Sequence, residues 1–317
     1  MPVSPALPER HGGLRDRSAL DGRRPGPGSG LLAELAMTAL LQVRDLAKTY
    51  HPSGLFGGRT VRAVDGVSFD IERGGTLALV GESGSGKSTT GRLVMNLIKP
   101  SAGEVIFDGG SVYEPSRVVQ RTLRRRMQVI FQDPYASLNP RKTVGHIVGQ
   151  PLAIHRGGAP SRYRDDVIRM LDLVGLSPGD RFIGRMPHEF SGGQRQRIAI
   201  ARALMLEPEF VVADEAVSAL DVSVQAQILQ LLLKLQRDYK LTFLFITHDL
   251  AVVRAIAQRV AVMYRGRIVE TGSVEEVFTA PKHDYTRALL AASPIPDPAL
   301  ARRRGRLLQA PSAGPAR

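Results

Sequence analysis

From residue 40 onward, short apolar runs alternate with stretches of helical periodicity. Residues 40–43 are strand-like, and residues 76–80, 129–131, 210–213, 242–246 and 260–264 are dominated by Leu, Val, Ile, Phe and Ala, the pattern of strands buried on both faces. Between them, residues 89–97, 198–204 and 223–237 repeat apolar positions at helical spacing. In the last of these, Ile228, Leu231, Leu232 and Leu235 share one face. Such interleaving predicts an α/β domain: a mostly parallel sheet flanked by helices. Residues 133–189 read as more helical, and a helical subdomain is expected there. Residues 1–36 are rich in Pro, Gly and Arg, and the run Pro25-Gly26-Pro27-Gly28-Ser29-Gly30 cannot hold regular structure. The reading is a disordered tail, or an extension upstream of a true start at Met37. The stretch from Pro294, with Pro296, Pro298, Pro311 and Pro315, is expected to be poorly ordered.

Composition narrows the chemistry. Among 317 residues there is no cysteine, so disulfides, thiolate metal sites and Cys nucleophiles are excluded. There is also no Trp, and aromatics are 5%, which argues against a stacking platform for single-stranded nucleic acid. The formal charge of +13 favours anionic partners. Two basic clusters stand out: Arg121, Arg124, Arg125 and Arg126, and Arg302, Arg303, Arg304 and Arg306. The longest candidate for a membrane span, residues 31–43, contains Glu34 and Gln42 and falls far short of the ~20 residues needed. Arg23-Arg24 ahead of an apolar stretch resembles an export signal. That reading is set aside on the chemistry of residues 81–88 that follows.

Gly81-Glu82-Ser83-Gly84-Ser85-Gly86-Lys87-Ser88 matches G-x-x-x-x-G-K-[ST] in full. It follows a buried strand and opens the helical stretch that begins at Thr89. The glycines let backbone N–H groups converge on phosphate oxygens at a helix N-terminus. Lys87 should reach the β- and γ-phosphates, and Ser88 should offer its hydroxyl to Mg²⁺. Such a loop needs an acidic residue at the end of a second strand. Asp214 and Glu215 end the run Phe210-Val211-Val212-Ala213. Asp214 can hold Mg²⁺ and Glu215 can polarise the attacking water. Ser191-Gly192-Gly193-Gln194 precedes the helical run 198–204. A Ser cap followed by two glycines makes a second anion site. Since the phosphate loop already serves one nucleotide, this second site is expected to serve another subunit's.

Taken in order, these features resemble the ATP-binding subunits of ABC transporters, from about residue 40 to 298. The motifs carrying the resemblance are the phosphate loop, Gln132, Ser191-Gly192-Gly193-Gln194, Asp214-Glu215, Ser218-Ala219-Leu220-Asp221 and His248. The resemblance implies an ABC-type P-loop NTPase core with an N-terminal antiparallel β subdomain. It implies an ATPase domain over 37–282, a helical subdomain over about 133–195 and a C-terminal extension over 283–317. Tyr50 would stack on adenine. Gln132 would sense Mg²⁺ and the γ-phosphate and touch the membrane subunit. Asp221 would line a dimer interface, and His248 would bond the γ-phosphate and steady the water. ATP and Mg²⁺ are the implied cofactors.

A narrower similarity is to oligopeptide and dipeptide importers. It rests on 131–141 (Phe131 to Arg141), Ala216-Val217-Ser218-Ala219-Leu220-Asp221, Tyr285-Thr286-Arg287-Ala288-Leu289-Leu290 and Ser293-Pro294-Ile295-Pro296-Asp297-Pro298. Within that group the chain looks like the second, F-type, ATPase of a heterodimeric pair. The implied partners are a second ATPase subunit, two permease subunits and, indirectly, an extracytoplasmic substrate-binding protein; nucleic acid is not among them. The implied location is peripheral, at the cytoplasmic face of the inner membrane. Three departures stand out. Ala216 replaces the usual Pro, which is expected to loosen the aim of Glu215. Asp284 replaces the usual Pro before Tyr285. The chain stops soon after Arg306, ahead of the Cys-bearing segment of relatives. Nickel or glutathione as cargo, and a non-transport ATPase of nucleic acid or ribosomes, are the rival readings. A P-loop kinase would leave the Ser191 signature unexplained.

Overall fold

The computed structural model describes residues 39–51 and 60–292. The expected N-terminal tail, Met37, the second basic cluster and the Ser293–Pro298 motif lie outside them. Two sheets organise the described residues. The first pairs β1 (Ala39–Tyr50) antiparallel with β2 (Val61–Glu72) and β4 (Ala102–Phe107), and β4 with the short β5 (Gly110–Ser111), in the order β2-β1-β4-β5. β2 alternates buried with exposed positions, as a strand with one solvated face does. The β1–β2 register shifts several times along the pair. Residues 40–43 stand out by apolar content in this sheet, because polar residues interrupt β2 and the apolar part of β4 is only Val105-Ile106-Phe107.

The second sheet has the order β10-β9-β3-β8-β7-β6. Its members are β3 (Thr76–Val80), β6 (Met127–Ile130), β7 (Phe210–Asp214), β8 (Thr242–Thr247), β9 (Arg259–Tyr264) and β10 (Arg267–Ser273). The first five run parallel and β10 returns antiparallel on β9. Every residue of β3 and β8 is buried, as the apolar runs predict. Because the five strands are parallel, the loops following β3, β6, β7 and β8 all emerge at one edge, where sheets of this kind bind ligands.

Helices cover the sheet: α1 (Lys87–Val94), α2 (Arg117–Arg126), α3 (Pro134–Ser137), α4 (Val144–Arg156), α5 (Arg164–Leu173), α6 (Gly192–Leu204), α7 (Val222–Tyr239), α8 (Leu250–Ile256), α9 (Val274–Thr279) and α10 (Asp284–Ala292). Between β6 and β7 the described chain is helices and turns, with no strand. That segment shares a core with the sheet, in which Val144, Ile147, Leu171 and Ile198 cluster with Val211, Phe243 and Phe245. A second core joins the two sheets through Leu41, Val43, Phe107, Leu77, Leu79 and Phe210. Of the first basic cluster, two arginines are structural. Arg121 donates to the carbonyls of Ile154 and His155. Arg126 bonds Glu209 and Asp108, which Arg73 also pairs, so four separate segments are tied together.

Candidate functional site

The phosphate loop leaves β3 at Gly81 and enters α1 at Lys87. Gly86 caps the helix at φ 107°, in the left-handed region. A Cβ there would stand 2.3 Å from the carbonyl oxygen of Ala63 on β2, so only glycine lets the loop lie against the first sheet. Lys87 is 4% exposed. Its Nζ donates to the carbonyls of Gly81 and Glu82, each at 2.8 Å. Burial pulls the ammonium pKa down, against the opposing charges of Glu215, Asp214 and Glu82. Glu82, Ser83 and Gly84 form the exposed rim, while Ser85 is buried and Ser88 and Thr89 are partly covered.

Two oxygens from distant segments meet beside Lys87. Ser88 Oγ donates to Asp214 Oδ1 at 2.8 Å. Burial raises the Asp214 pKa; the Ser88 bond lowers it and the neighbouring Glu215 raises it further. A hydroxyl and a half-buried carboxylate are the hard oxygen donors that suit Mg²⁺, so the residues present fit that ion. Glu215 sits in the left-handed region at φ 48°. Its N–H donates to the Ile246 carbonyl at 2.9 Å, and Ser218 Oγ donates to its carbonyl at 2.9 Å. The Ser218 N–H closes the same turn at 3.1 Å. These bonds hold the turn at Ala216, a buried residue, where the usual proline is absent. His248 Nδ1 lies 3.5 Å from Glu215 Oε1, with its side chain more than half exposed.

Gln132 is exposed and follows β6, in which Ile130 pairs with Ala213; this puts Gln132 at the same edge as Asp214 and Glu215. Tyr50 ends β1 opposite Val61, two residues from the Ala63 that Gly86 touches. Its ring is half exposed, with the Lys48 ammonium 5.3 Å from the centroid. The structure therefore gathers Gly81 to Thr89, Asp214, Glu215, His248 and Gln132 at one edge.

Ser191-Gly192-Gly193-Gln194 lies at the start of α6. Ser191 caps α6 in a reciprocal box: its Oγ accepts from Gln194 N–H, and Gln194 Oε1 accepts from Ser191 N–H at 3.0 Å. Gly193 lets α6 approach α7 closely, since a Cβ would meet Val224 Cγ1 at 2.4 Å. Asp221, at the N-cap of α7, thus flanks this helix end. Among the described residues, no hydrogen bond or ion pair joins Ser191, Gly192, Gly193 or Gln194 to the phosphate loop, Asp214 or Glu215. Two contacts had no sequence signal. One is the Ser218 hydroxyl on Glu215, and the other is Tyr285, whose hydroxyl accepts from Glu82 N–H across 203 positions of sequence.

Comparison with known proteins agrees with this geometry. The ABC transporter family profile matches residues 64–218, and the profile "Oligopeptide/dipeptide transporter, C-terminal region" matches residues 269–315. A Brucella ovis protein, provisionally named a peptide import ATP-binding protein, is 54% identical over 261 residues, covering 82% of this chain and 80% of its own length. The glutathione import ATP-binding protein GsiA of Salmonella typhi is 54% identical over 272 residues; these cover 85% of this chain but only 43% of that relative. Among solved structures, the ATP-binding cassette MJ0796, in a dimeric post-hydrolysis state bound to ADP and Pi, superposes with a TM-score of 0.65. It shares 31% identity over 74% of this chain and 98% of its own. CbiO1 from Clostridium perfringens, part of the ABC transporter complex cbiONQ, gives 0.67 at 28% identity, over 86% of this chain and 99% of its own.

Proposed function

Because the chain belongs to the ATP-binding subunits of ABC transporters, we propose that it hydrolyses ATP to drive peptide uptake through separate permease subunits. The observation that carries the site is the Ser88–Asp214 hydrogen bond at 2.8 Å, with Glu215 fixed beside it. Lys87 leaves the Gly81 and Glu82 carbonyls for the β- and γ-phosphates, while the loop N–H groups and the α1 N-terminus take the phosphate oxygens. Ser88 and Asp214 would hold Mg²⁺, and Gln132, at the β6 edge, would contribute to the same site. The chemistry that this ion supplies when bound is neutralisation of charge developing on the phosphates. Glu215 accepts a proton from the attacking water, and His248 steadies that water and the γ-phosphate. Tyr50 covers the adenine.

The separation of Ser191 from the phosphate loop supports a shared site. Ser191, Gly192, Gly193 and Gln194 of one chain face the nucleotide of a second ATPase subunit, with Asp221 along the seam. Closure then follows from ATP bridging two surfaces, and reopening from loss of that bridge. No described helix is long and apolar enough to cross a membrane. On this reading the chain works peripherally at the cytoplasmic face of the inner membrane, on two permease subunits fed by a binding protein. Peptide is the cargo favoured by the Brucella relatives and by the C-terminal region; glutathione is the second reading, favoured by the Salmonella relatives.

Glu215→Gln tests the site in the assembled complex. ATP binding is retained and turnover drops by about 10²–10³, the effect of losing one aimed group. Unchanged turnover refutes the assignment. Competition between labelled dipeptides and glutathione for uptake settles the cargo.

A further inference from the structure

We infer that Tyr285, in the first turn of α10, is a positioning residue for the phosphate loop; the inference rests on the nucleotide role proposed for that loop. The Tyr285 hydroxyl accepts a hydrogen bond from Glu82 N–H at 3.0 Å. Its ring stacks on Tyr264, the last residue of β9, with centroids 4.2 Å apart and planes at 29°. Tyr264 itself follows Met263, whose carbonyl lies so close to Gly81 that a Cβ there would meet it at 2.2 Å. The platform and the loop are thus parts of one packed unit.

The Glu82 residue is gripped from both ends. Tyr285 takes its N–H and Lys87 takes its carbonyl. When Lys87 turns to phosphate, the carbonyl grip is lost and the tyrosine grip remains. Tyr285 then keeps the exposed rim of the loop in its binding conformation, so less ordering is left to occur on binding. The approach of α10 is secured independently of the loop. Glu270 on β10 accepts from the N–H groups of Lys282 at 2.8 Å and His283 at 3.0 Å. Asp284, where a proline is usual, opens α10 and pairs with Arg287 one turn later. Tyr285 therefore acts on the nucleotide site through the Glu82 backbone amide.

The test is Tyr285→Phe in the full-length chain, which keeps the stacked ring and removes only the acceptor. Amide exchange across residues 81–88 is measured by mass spectrometry, and ATP affinity by titration with a fluorescent ATP analogue. Exchange quickens in that segment alone, and ATP binds about two- to ten-fold more weakly, the range for one neutral hydrogen bond. Tyr264→Leu, which removes the platform and keeps the hydroxyl, shifts affinity in the same direction. Unchanged affinity in either variant overturns the inference. So does weaker binding without faster exchange at 81–88, since the effect then arises elsewhere. Lys87→Met separates the two ideas: if that variant binds ATP as the parent does, the phosphate-loop reading itself fails.

Discussion

Replacing Gly86 by alanine offers a direct measure of how the loop is built. At φ 107° an L-residue is strained, at a cost of about 1–3 kcal/mol. The new methyl also meets the Ala63 carbonyl oxygen at 2.3 Å and Met263 Cε at 2.7 Å. The methionine end can swing away, but the carbonyl belongs to β2 and must recede by about 1 Å, an overpacking of about 1–3 kcal/mol. The sum is about 2–6 kcal/mol. Gly84→Ala is the control. Its φ is 79°, yet nothing lies within 4 Å of its Cβ position, so only the strain applies. Thermal unfolding of both variants, at about 2–4 °C per kcal/mol, separates the two contributions. Gly86→Ala also loosens the loop from β2, and ATP affinity drops further than in Gly84→Ala. Equal melting midpoints and equal ATP affinities in the two variants would refute the close approach of the loop to β2.

Three further outcomes are expected. Ser191→Ala removes one half of the capping box, lowering stability by about 1 kcal/mol in denaturant titration, and in the assembled complex it slows turnover without abolishing ATP binding by the isolated chain. Asp214→Asn keeps the Ser88 hydrogen bond but removes the charge, so the magnesium concentration needed for half-maximal turnover rises at least several-fold while the midpoint of unfolding changes little. The Arg126 cluster makes stability fall in acid. The Arg126 hydrogen bonds are the largest influence holding both Glu209 and Asp108 below their ordinary pKa values, so their contribution is full above roughly pH 4 and is lost as pH falls through the lowered values. Arg126→Leu therefore flattens the acid limb of a stability–pH curve, and an unchanged limb counts against the network.

Much of the site is legible without a structure, because its chemistry is carried by contiguous residues. Gly81 to Ser88 form a loop whose spacing and flanking strand specify phosphate binding locally, and Asp214-Glu215 end an apolar run long enough to be a buried strand. The same holds for β3, β7, β8 and the body of β9, since burial on both faces leaves uninterrupted apolar stretches. β2, β4 and β10 leave weaker traces: each has a solvated face or an edge, so polar residues break its pattern.

What the chain alone determined is therefore the set of parts: a phosphate loop after a buried strand, a second strand with two acids, a capped helix end with paired glycines, and the alternation that makes a parallel sheet. Strand order decided the rest. Placing β8 between β3 and β7 brings Ser88 to Asp214 across 126 positions and His248 to Glu215. Folding the C-terminal helix back past β9 sets a tyrosine on the loop's own backbone. Local pattern encodes burial and turn geometry, but a contact between remote residues depends on which strands neighbour each other. That neighbourhood is fixed only when the apolar faces of all the elements are packed at once.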